Sequence, residues 1–295
     1  MMKGSYRFYQ DGALVGEVEN LITTAGKIYI MKYLAGYVQS IAQGLAIGLG
    51  ATAATVADTS LAFEWSRVPI LMTSADYANT AIIFRGQIPA DVCGSIYEMG
   101  LWSLQDAQQV YGSRLLFTFD SASEAWSAGT WQTSNDRIGV DSLRVQAAAS
   151  GTLTSTIAAV ALDLSGYSSL DEFRLAYYVN STFVSTAKVI LYTDASNYFT
   201  YTITAPGAGY TLTAFHKSDC AITGAPSWAN ITSMAVQVTS TSGGSGSIDF
   251  DAFRMEDKDL NSEQYVFVSR AVPATPIVKL AGSPLDFEYS LSVGL

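Results

Sequence analysis

Few residues of this 295-residue chain have the types and spacing that catalysis requires. The sequence contains one histidine, His216, and its neighbours Lys217, Ser218 and Asp219 form a turn-like stretch, which favours a surface histidine over a catalytic one. Nucleophile-elbow, phosphate-loop and zinc-protease motifs do not occur. A glycosidase needs two carboxylates across a cleft, and no spacing of acidic residues points to such a pair. We therefore expect a protein without catalytic residues.

Aromatic side chains offer a binding chemistry instead. Sugars present flat C–H faces that stack on tryptophan and tyrosine rings, while carboxylates and amides bond the sugar hydroxyls. Residues 114–257 are rich in such rings, and alternation along a strand places Tyr177 and Tyr178 on opposite faces. Most of these rings could instead belong to a core, and that alternative stays open. The predicted glycan-binding residues are Trp131 and Tyr198, which stand beside polar, loop-like residues, followed by Trp126 and Tyr178.

Three aspartates are candidate ligands of a structural calcium ion. Hard cations bind several carboxylate and carbonyl oxygens. Asp249 and Asp251 alternate onto one face of the strand predicted at 246–255, and Asp120 ends the strand predicted at 115–119. A calcium ion at Asp120, Asp249 and Asp251 would hold loops without taking part in chemistry. The alternative, that these acids cap turns or bond loop amides, is equally open.

The composition excludes several classes of partner. The formal net charge is −10 and the pI is about 4.5, so a phosphate backbone would be repelled and nucleic acid is a poor partner. No apolar run approaches the ~20 residues that span a bilayer. The N-terminal residues contain no continuous apolar stretch of a secretory signal, so we expect synthesis in a cytoplasm and release by another route such as lysis. Cys93 and Cys220 are interpreted as buried free thiols.

The first hundred residues predict a small α+β arrangement. A strand pair at 1–20 precedes one convincing helix at about 23–43, capped by Thr23 or Thr24. Strands are predicted near 68–77, 80–88 and 95–103, after a short helix that runs from Asp58 to Arg67. We also predict an ion pair between Arg67 and either Glu64 or Glu98. The apolar stripe of the main helix, which we expect to face the core, comprises Ala25, Ile28, Met31, Leu34, Val38 and Ile41.

The sequence pattern changes near residue 112. From there to residue 257 it predicts one strand after another, separated by Ser, Gly, Asn and Asp. Such regular strands with few helix signals predict a β-sandwich or jelly roll. The short tail cannot build its own core, so we expect residues 258–295 to join the first domain. The predicted fold is therefore mostly β with one main α-helix, in which an attachment domain (1–113 with 258–295) carries an inserted jelly roll (114–257). The strands predicted in the insert are 115–119, 142–147, 152–160, 171–180, 185–193, 197–204, 209–214, 231–240 and 246–255.

Residues 20–104 resemble the N-terminal region of phage tail-collar and tail-fibre attachment proteins. The shared order begins with NLITTAG at 20–26 and the helix, and continues with AIGLG at 46–50 and DTSLAFEWSR at 58–67. It ends with IPA at 88–90 and IYEMGLW at 96–102. The segment PIVKL at 276–280 could supply a lysine-bearing strand of that family. The resemblance covers under a third of the chain and implies docking on a virus particle.

Residues 114–257 resemble a carbohydrate-binding-module jelly roll of the galactose-binding-like kind. The supporting segments are FTFD at 117–120, DSLRV at 141–145, LDLSGY at 162–167, FRLAYY at 173–178, WANI at 228–231 and SIDFDAFR at 247–254. First and last strands pair in that fold, which would bring residues 114 and 257 together. In such modules a calcium ion often joins these two strands.

Together the two resemblances imply a bacteriophage virion structural protein of the tail fibre, collar or baseplate. Its partners would be other virion proteins, further copies of itself in a trimer, and a host surface glycan bound with avidity. A capsid decoration or head-fibre protein is the first alternative. The second is a free glycan-binding protein or glycosidase accessory module of a bacterium, against which the missing signal sequence counts.

Overall fold

The computed structural model describes residues 2–103, 114–121, 123–258 and 265–293. The chain divides into two compact units, of which the first comprises Met1–Ala107 with Leu260–Leu295 and the second Gln108–Asp259. Strands dominate both units, and one α-helix lies in the first, so the predicted fold class is confirmed. Among the described residues, no helix combines the length and the apolar character that crossing a membrane demands.

The elements fall in this order along the chain. The first unit begins with β1 (Met2–Gln10), β2 (Ala13–Glu19), β3 (Leu21–Ile22), α1 (Thr24–Leu34), β4 (Gly44–Gly48), β5 (Glu64–Asp76), β6 (Ala81–Ile88), β7 (Gly94–Ile96) and β8 (Glu98–Trp102). The second unit contains β9 (Arg114–Phe117), β10 (Thr130–Gln132), β11 (Ser142–Ala147), β12 (Thr152–Ile157), β13 (Glu172–Val179), β14 (Val184–Asp194), β15 (Asn197–Thr204), β16 (Gly209–His216), β17 (Ala221–Thr223), β18 (Ser233–Ser240) and β19 (Gly246–Glu256). The first unit ends with β20 (Phe267–Ala271), β21 (Ile277–Lys279) and β22 (Leu285–Val293).

A nine-stranded antiparallel sheet forms the body of the first unit, in the order β2-β1-β22-β6-β5-β4-β8-β20-β3. The C-terminal strands are internal to it, since β22 lies between β1 and β6 and β20 lies between β8 and β3. Alternation sends Tyr6 and Phe8 into the core, where Tyr6 packs on Tyr289 with ring centroids 4.7 Å apart. The tail after residue 264 therefore completes this sheet.

Helix α1 is shorter than predicted and turns a different face to the core. Thr23 caps it, because its Oγ1 accepts the Gly26 N–H at 2.9 Å. The helix ends at Leu34, and Gly36 follows with a φ of +79°, a conformation that favours glycine and stops the helix. The predicted apolar stripe is wrong for most of its length, since Ile28, Met31 and Leu34 are 55%, 66% and 70% exposed.

The physical reason for the different helix face is a close contact at Gly26. A Cβ atom on Gly26 would lie only 2.0 Å from the Val268 carbonyl oxygen, so the helix approaches β20 at the one position without a side chain. This contact turns Tyr29 and Ile30 inward, where both are buried. The spacing of apolar residues predicts the wrong helix face, because a periodic pattern does not show that Gly26 permits a close approach to β20.

The second predicted helix, from Asp58 to Arg67, is also wrong. Within the described chain those residues form a loop that runs into β5, which begins at Glu64. The Asp58 carboxylate does not cap a helix but accepts the Thr55 N–H at 2.9 Å and binds Arg270 at 2.9 Å. The loop is therefore fixed by side-chain bonds to a distant strand.

Buried ion pairs hold the first unit in register. Arg67 pairs with Glu64 at 2.7 Å, which identifies the partner that the sequence left open, and the guanidinium stacks 4.2 Å from the Trp102 ring. Glu98 instead binds Arg270 at 2.8 Å and also accepts backbone N–H groups. Such pairs fix geometry more than they add net stability.

The second unit is a β-sandwich. One sheet has the order β10-β11-β19-β13-β16 with β9 also on β19, and the other has the order β12-β18-β14-β15-β17. Phe117 of β9 stands opposite Phe253 of β19 and Arg114 opposite Met255, which confirms that the first and last strands pair. Two short strands, β10 and β17, were not foreseen. The buried residues that both sheets contribute to the core include Phe173, Leu175, Tyr177, Val189, Leu191, Val236, Phe250 and Phe253.

Neither cysteine forms a disulfide. Cys220 is buried, as predicted, whereas Cys93 is only half-buried. Burial raises the pKa of the Cys220 thiol to about 12.

Candidate functional site

The four aromatic residues predicted to bind glycan do not converge on one surface. Tyr198 lies on the outer face of the β12-β18-β14-β15-β17 sheet, whereas Tyr178 lies on the outer face of the opposite sheet. Trp131 is 37% exposed on the edge strand β10, opposite the buried Leu143. The structure thus separates the candidates into different environments.

Trp126 belongs to the edge of the core. Its ring stacks on Phe119 with centroids 4.8 Å apart and planes inclined by 20°, and it also meets Phe117 edge-on. The indole Nε1 donates to the Glu124 carboxylate at 2.8 Å. With one ring face covered and its N–H bonded, Trp126 has a structural role that accounts for its position.

Tyr198 stands beside a second tyrosine that the sequence reasoning did not select. It is the cross-strand partner of Tyr192, and the two ring centroids are 5.2 Å apart with planes inclined by 55°. Both side chains are half-exposed. Desolvation by burial and the neighbouring Tyr198 raise the pKa of Tyr192, so its phenol stays protonated at neutral pH.

A tight turn fixes this tyrosine pair. Asp194 and Asn197 close the hairpin between β14 and β15, and the Asn197 amide donates to both carboxylate oxygens of Asp194 at 2.9 and 2.7 Å. Asn197 Oδ1 accepts the Ala225 N–H at 2.6 Å, which ties the turn to the chain after β17. Hydrogen bonds from Asn197 and from the Ser196 N–H lower the pKa of Asp194, so the turn keeps its charge-assisted bonds at neutral pH.

The rest of this outer face is lined by small hydroxyl side chains, and we call it the threonine face. Rows of cross-strand partners follow one another along the strands, and the intervening residues point into the core. The strand spacing of ~4.8 Å and the two-residue repeat of ~6.8 Å give the face dimensions of about 14 by 20 Å. Its rows are Thr152–Thr239–Thr186–Thr204, then Thr154–Gln237–Lys188–Thr202, then Thr156–Ala235–Ile190–Thr200, and finally Ser233–Tyr192–Tyr198–Thr223.

The threonine face is uncharged except for Lys188, and its hydroxyls are only partly engaged with one another. Thr152 Oγ1 and Thr239 Oγ1 are 3.0 Å apart, and the Gln237 amide donates to Thr154 Oγ1 at 2.8 Å. Threonine suits this place because its β-branched side chain packs well on a pleated surface and still presents a donor and an acceptor. Such a surface can exchange hydrogen bonds with a neutral, hydroxyl-rich ligand.

The opposite outer face is covered by a segment of its own unit. Asp249 is fully buried and binds Arg144 at 2.6 and 2.8 Å, and it also accepts the Asn135 amide at 2.6 Å. Asp251 accepts the backbone N–H groups of Arg137 and Ile138 at 3.1 and 3.2 Å. These carboxylates therefore fasten residues 135–138 onto the sheet that also carries Tyr178.

The ring of Tyr210 completes this fastening. Its hydroxyl donates to Asp251, and the Arg137 guanidinium lies 3.5 Å from the ring centroid. Burial raises the pKa of Asp251 to about 7, although the Tyr210 hydroxyl and two N–H groups oppose that shift. The face around Tyr178 is consequently occupied by internal polar contacts.

The predicted calcium ligands are engaged with donors of the protein itself. Asp120 accepts the Val140 N–H at 3.1 Å, while Asp249 and Asp251 bind the groups described above. In the parts of the chain that the structure describes, no three His, Cys, Asp or Glu side chains form a group that could hold a metal ion. The three aspartates bond backbone and side-chain donors of the protein in this structure, and calcium binding at them stays a prediction.

No protein-family model and no curated protein matches this chain. The solved structures that it is similar to include the family 11 carbohydrate-binding module from Clostridium thermocellum in complex with a beta-1,3-1,4-mixed-linked tetrasaccharide, at 12% identity, 50% coverage of this chain, 97% of that chain and a TM-score of 0.38. TmCBM61, in complex with beta-1,4-galactotriose, is 9% identical over 52% of this chain and 100% of its own, with a TM-score of 0.32. A glycoside hydrolase domain of Endo-D from Streptococcus pneumoniae R6 is 11% identical over 46% of this chain, with a TM-score of 0.31, and this chain spans only 22% of that one. This chain likewise spans only 23% of the length of PfGH50B, another solved structure to which it is similar. The neighbours are thus carbohydrate-binding modules and larger glycoside hydrolases, at similarities too low to carry a function to this chain.

Proposed function

We propose that the second unit binds a neutral glycan on the threonine face, with Tyr192 and Tyr198 as the stacking residues. The observation that carries this proposal is the tyrosine pair itself, which is outward-facing, half-exposed and fixed by a rigid turn. An aromatic pair at the end of a hydroxyl-rich face supplies both contacts that a sugar needs, one for its C–H face and one for its hydroxyls.

The electrostatics of the face favour an uncharged ligand. Lys188 is the charged residue among the cross-strand rows, and the protein as a whole carries a net charge of −10. An anionic glycan would be repelled by the overall charge, and the threonine hydroxyls offer no strong counter-charge. The ligand is therefore a neutral oligosaccharide that lies across the outer face of the sheet β12-β18-β14-β15-β17.

We propose further that the protein acts by binding and not by cleavage, as an adhesive structural component of a bacteriophage particle. The support for a virion role is the resemblance of residues 20–104 to tail-collar and tail-fibre attachment proteins, through motifs such as NLITTAG and IYEMGLW. Location on a tail fibre, collar or baseplate is our first choice, and capsid decoration is the alternative. A free glycan-binding protein or glycosidase accessory module is the remaining candidate.

The binding proposal is tested by titration of neutral oligosaccharides against the wild type and single-residue variants. Tyr198→Ala and Tyr192→Ala should each weaken binding at least tenfold, which corresponds to about 1.4 kcal/mol of binding free energy. Tyr178→Ala is the matched control, because it removes a half-exposed tyrosine from the opposite sheet. Loss of binding with Tyr178→Ala, and none with Tyr198→Ala, would contradict the assignment of the face.

The role is tested separately. Release of reducing ends from a bound oligosaccharide would overturn the non-catalytic proposal. Cryo-electron microscopy of intact particles should place the chain on the tail, and density on the capsid surface would select the decoration alternative. Absence of the chain from purified particles would leave the free glycan-binding protein.

A further inference from the structure

The outer face of the nine-stranded sheet in the first unit carries a cleft with two apolar walls and a polar floor. Alternation turns Tyr6 and Phe8 inward, so Tyr9 points to the outer face of β1. The cleft has a volume of about 420 Å³, within the range of about 300–1,000 Å³ that is usual for small-molecule sites. We call it the outer cleft, and the side chains that line it include Tyr9, Leu71, Arg85, Gln87, Asp286 and Glu288.

The two walls come from strands that are three positions apart in the sheet. Tyr9 belongs to β1 and Leu71 to β5, with β22 and β6 between them, so their backbones are about 14 Å apart at the usual strand spacing. Leu71 is the extra residue of a β-bulge, where the pairing of β5 with β6 shifts between Ile70 and Met72. Bulges re-aim side chains, and this one leaves a leucine 69% exposed beside the cleft. The tyrosine and the leucine offer apolar contact to a bound molecule from two sides.

The charges on the floor compensate one another with one exception. Asp286 lies on the same face of β22 as Glu288, and its Oδ1 accepts the Gln87 amide at 2.7 Å. None of the hydrogen bonds or ion pairs of the described residues reaches Asp286 Oδ2. The outer cleft therefore keeps one negative charge with an open acceptor. The neighbouring row of side chains crosses β2, β1, β22 and β6 with alternating sign, at successive contacts of 2.8, 4.0 and 2.7 Å, and consists of Glu17, Arg7, Glu288 and Arg85.

This arrangement favours a positively charged ligand. Arg85 cannot serve an anion well, because its guanidinium is already bonded to Glu288 at 2.7 Å and to Ser74 Oγ at 3.4 Å. The open groups of the floor are acceptors, namely the second oxygen of Asp286 and the amide oxygen of Gln87, and an ammonium or guanidinium group supplies donors alone. Cations are also attracted to the face of an aromatic ring such as that of Tyr9, and the net charge of −10 draws them to the protein.

We propose that the outer cleft binds an organic cation, an alkylammonium or guanidinium group carried on an apolar stem. The charged group donates to Asp286 Oδ2 and to the amide oxygen of Gln87, while the stem packs between Tyr9 and Leu71. Free amines and the lysine or arginine side chains of a protein partner carry this same chemistry. The cleft lies in the first unit and shares no residue with the threonine face, so this assignment is independent of the glycan-binding proposal.

Titration of the isotope-labelled full chain with small cations, followed by NMR, tests this assignment. The cations are putrescine, Nα-acetyl-arginine amide and Nα-acetyl-lysine amide, and Nα-acetyl-citrulline amide is the neutral isostere of the arginine probe. The cations should give saturable shifts of the Gln87 side-chain amide and the Gly12 N–H, which both line the cleft, and the citrulline probe should bind at least tenfold more weakly. Tighter binding of putrescine than of both amino-acid amides would assign a free amine, and the reverse order would assign a side chain of a protein partner.

Three variants locate the binding. Asp286→Asn keeps the shape of the side chain and should weaken cation binding about tenfold, because it removes the charge that accepts the donors. Tyr9→Ala should weaken binding about two- to fivefold through the lost ring. Glu19→Gln is the matched control, since it removes an exposed carboxylate of the same unit outside the cleft and should bind as the wild type does.

The exposed positions of Asp286 and Glu19 mean that the melting temperature should stay unchanged in both amide variants. The absence of saturable binding by any of the cations would overturn the proposal. Equal affinity for the citrulline and arginine probes would do the same, and so would an equal loss in Glu19→Gln and Asp286→Asn. Shifts of the Gln87 amide with glucose in place of the cations would assign the cleft to a sugar and refute the cation assignment.

Discussion

Replacing Glu98 with glutamine is the sharpest test of how the first unit is held together. Glu98 is fully buried at the start of β8. Its Oε1 accepts the N–H groups of Gly50 and Phe63, both at 2.8 Å. Its Oε2 accepts the Ala62 N–H at 3.0 Å and the Arg270 guanidinium at 3.0 and 2.8 Å. One carboxylate thus connects the loop before β5 to β8 and β20.

A glutamine at position 98 keeps the shape of the glutamate side chain, but it offers one acceptor oxygen in place of two. Whichever way its amide turns, an NH₂ group replaces one oxygen and faces donors, and the Arg270 charge keeps only Asp58 as an ionic partner. Breaking a buried ion pair by neutralising one member costs about 3–5 kcal/mol, because the other charge stays buried. At roughly 2–4 °C per kcal/mol for a unit of this size, the first unit should melt roughly 10 °C lower.

Urea unfolding followed by tryptophan fluorescence and circular dichroism measures this loss. Trp65 and Trp102 report on the first unit, and the second unit should keep its own transition unchanged. Glu17→Gln is the control, since Glu17 is an exposed partner of Arg7 and such surface pairs contribute about 0–1 kcal/mol. A Glu98→Gln loss no larger than that of Glu17→Gln would refute the reasoning.

Three further outcomes follow from the described contacts. Burial raises the pKa of Asp251 from 3.8 to about 7, so the folded second unit holds a proton that the unfolded chain releases. Its stability should therefore fall as pH rises from about 4 to 7, and a urea series should show that Asp251→Asn removes this slope. Thr23→Ala removes the bond to the Gly26 N–H and should destabilise the first unit by about 1–2 kcal/mol in the same assay. Chelation with EDTA should leave the melting temperature unchanged, because Asp120 and Asp249 already bind protein donors, whereas a drop in melting temperature would support the predicted calcium ion.

The strands were predictable because their signal is local. Alternation of apolar and polar residues in β6 and β13 places Phe84 and Phe173 inward from the sequence alone, and both are buried. The pairing of the first and last strands of the sandwich followed from the resemblance to a known fold. Such features depend on neighbouring residues or on a recurring topology, and the structure reproduces them.

The sequence predictions fail where contacts between residues far apart in the chain determine the structure. The helix face depends on Gly26 meeting Val268, which lies far along the chain and leaves no periodic trace near the helix. Likewise Glu98 binds Arg270 and not Arg67, and nothing in the local sequence distinguishes the two arginines. Tertiary contacts of this kind override propensity, so they could not be read from the segments themselves.

The candidate site was only partly predictable. The polar surroundings of Tyr198 rank it above the other aromatic residues of this region, including Tyr192, although the turn from Asp194 to Asn197 makes the two tyrosines cross-strand partners. A hairpin register assigned from that turn would have found the pair. Trp126 resembled a ligand platform because the sequence does not reveal that Phe119 covers its ring.

The unequal burial of the two cysteines makes the protein convenient to label. Thiol reagents react with the thiolate. Burial raises the pKa of the Cys220 thiol to about 12, so this thiol stays protonated at neutral pH and should react slowly. Cys93, on the loop that enters β7 in the first unit, is only half-buried and should react faster than Cys220. A maleimide dye should therefore label the first unit, through Cys93, faster than the second, through Cys220, which gives a fluorescent probe without any engineered residue.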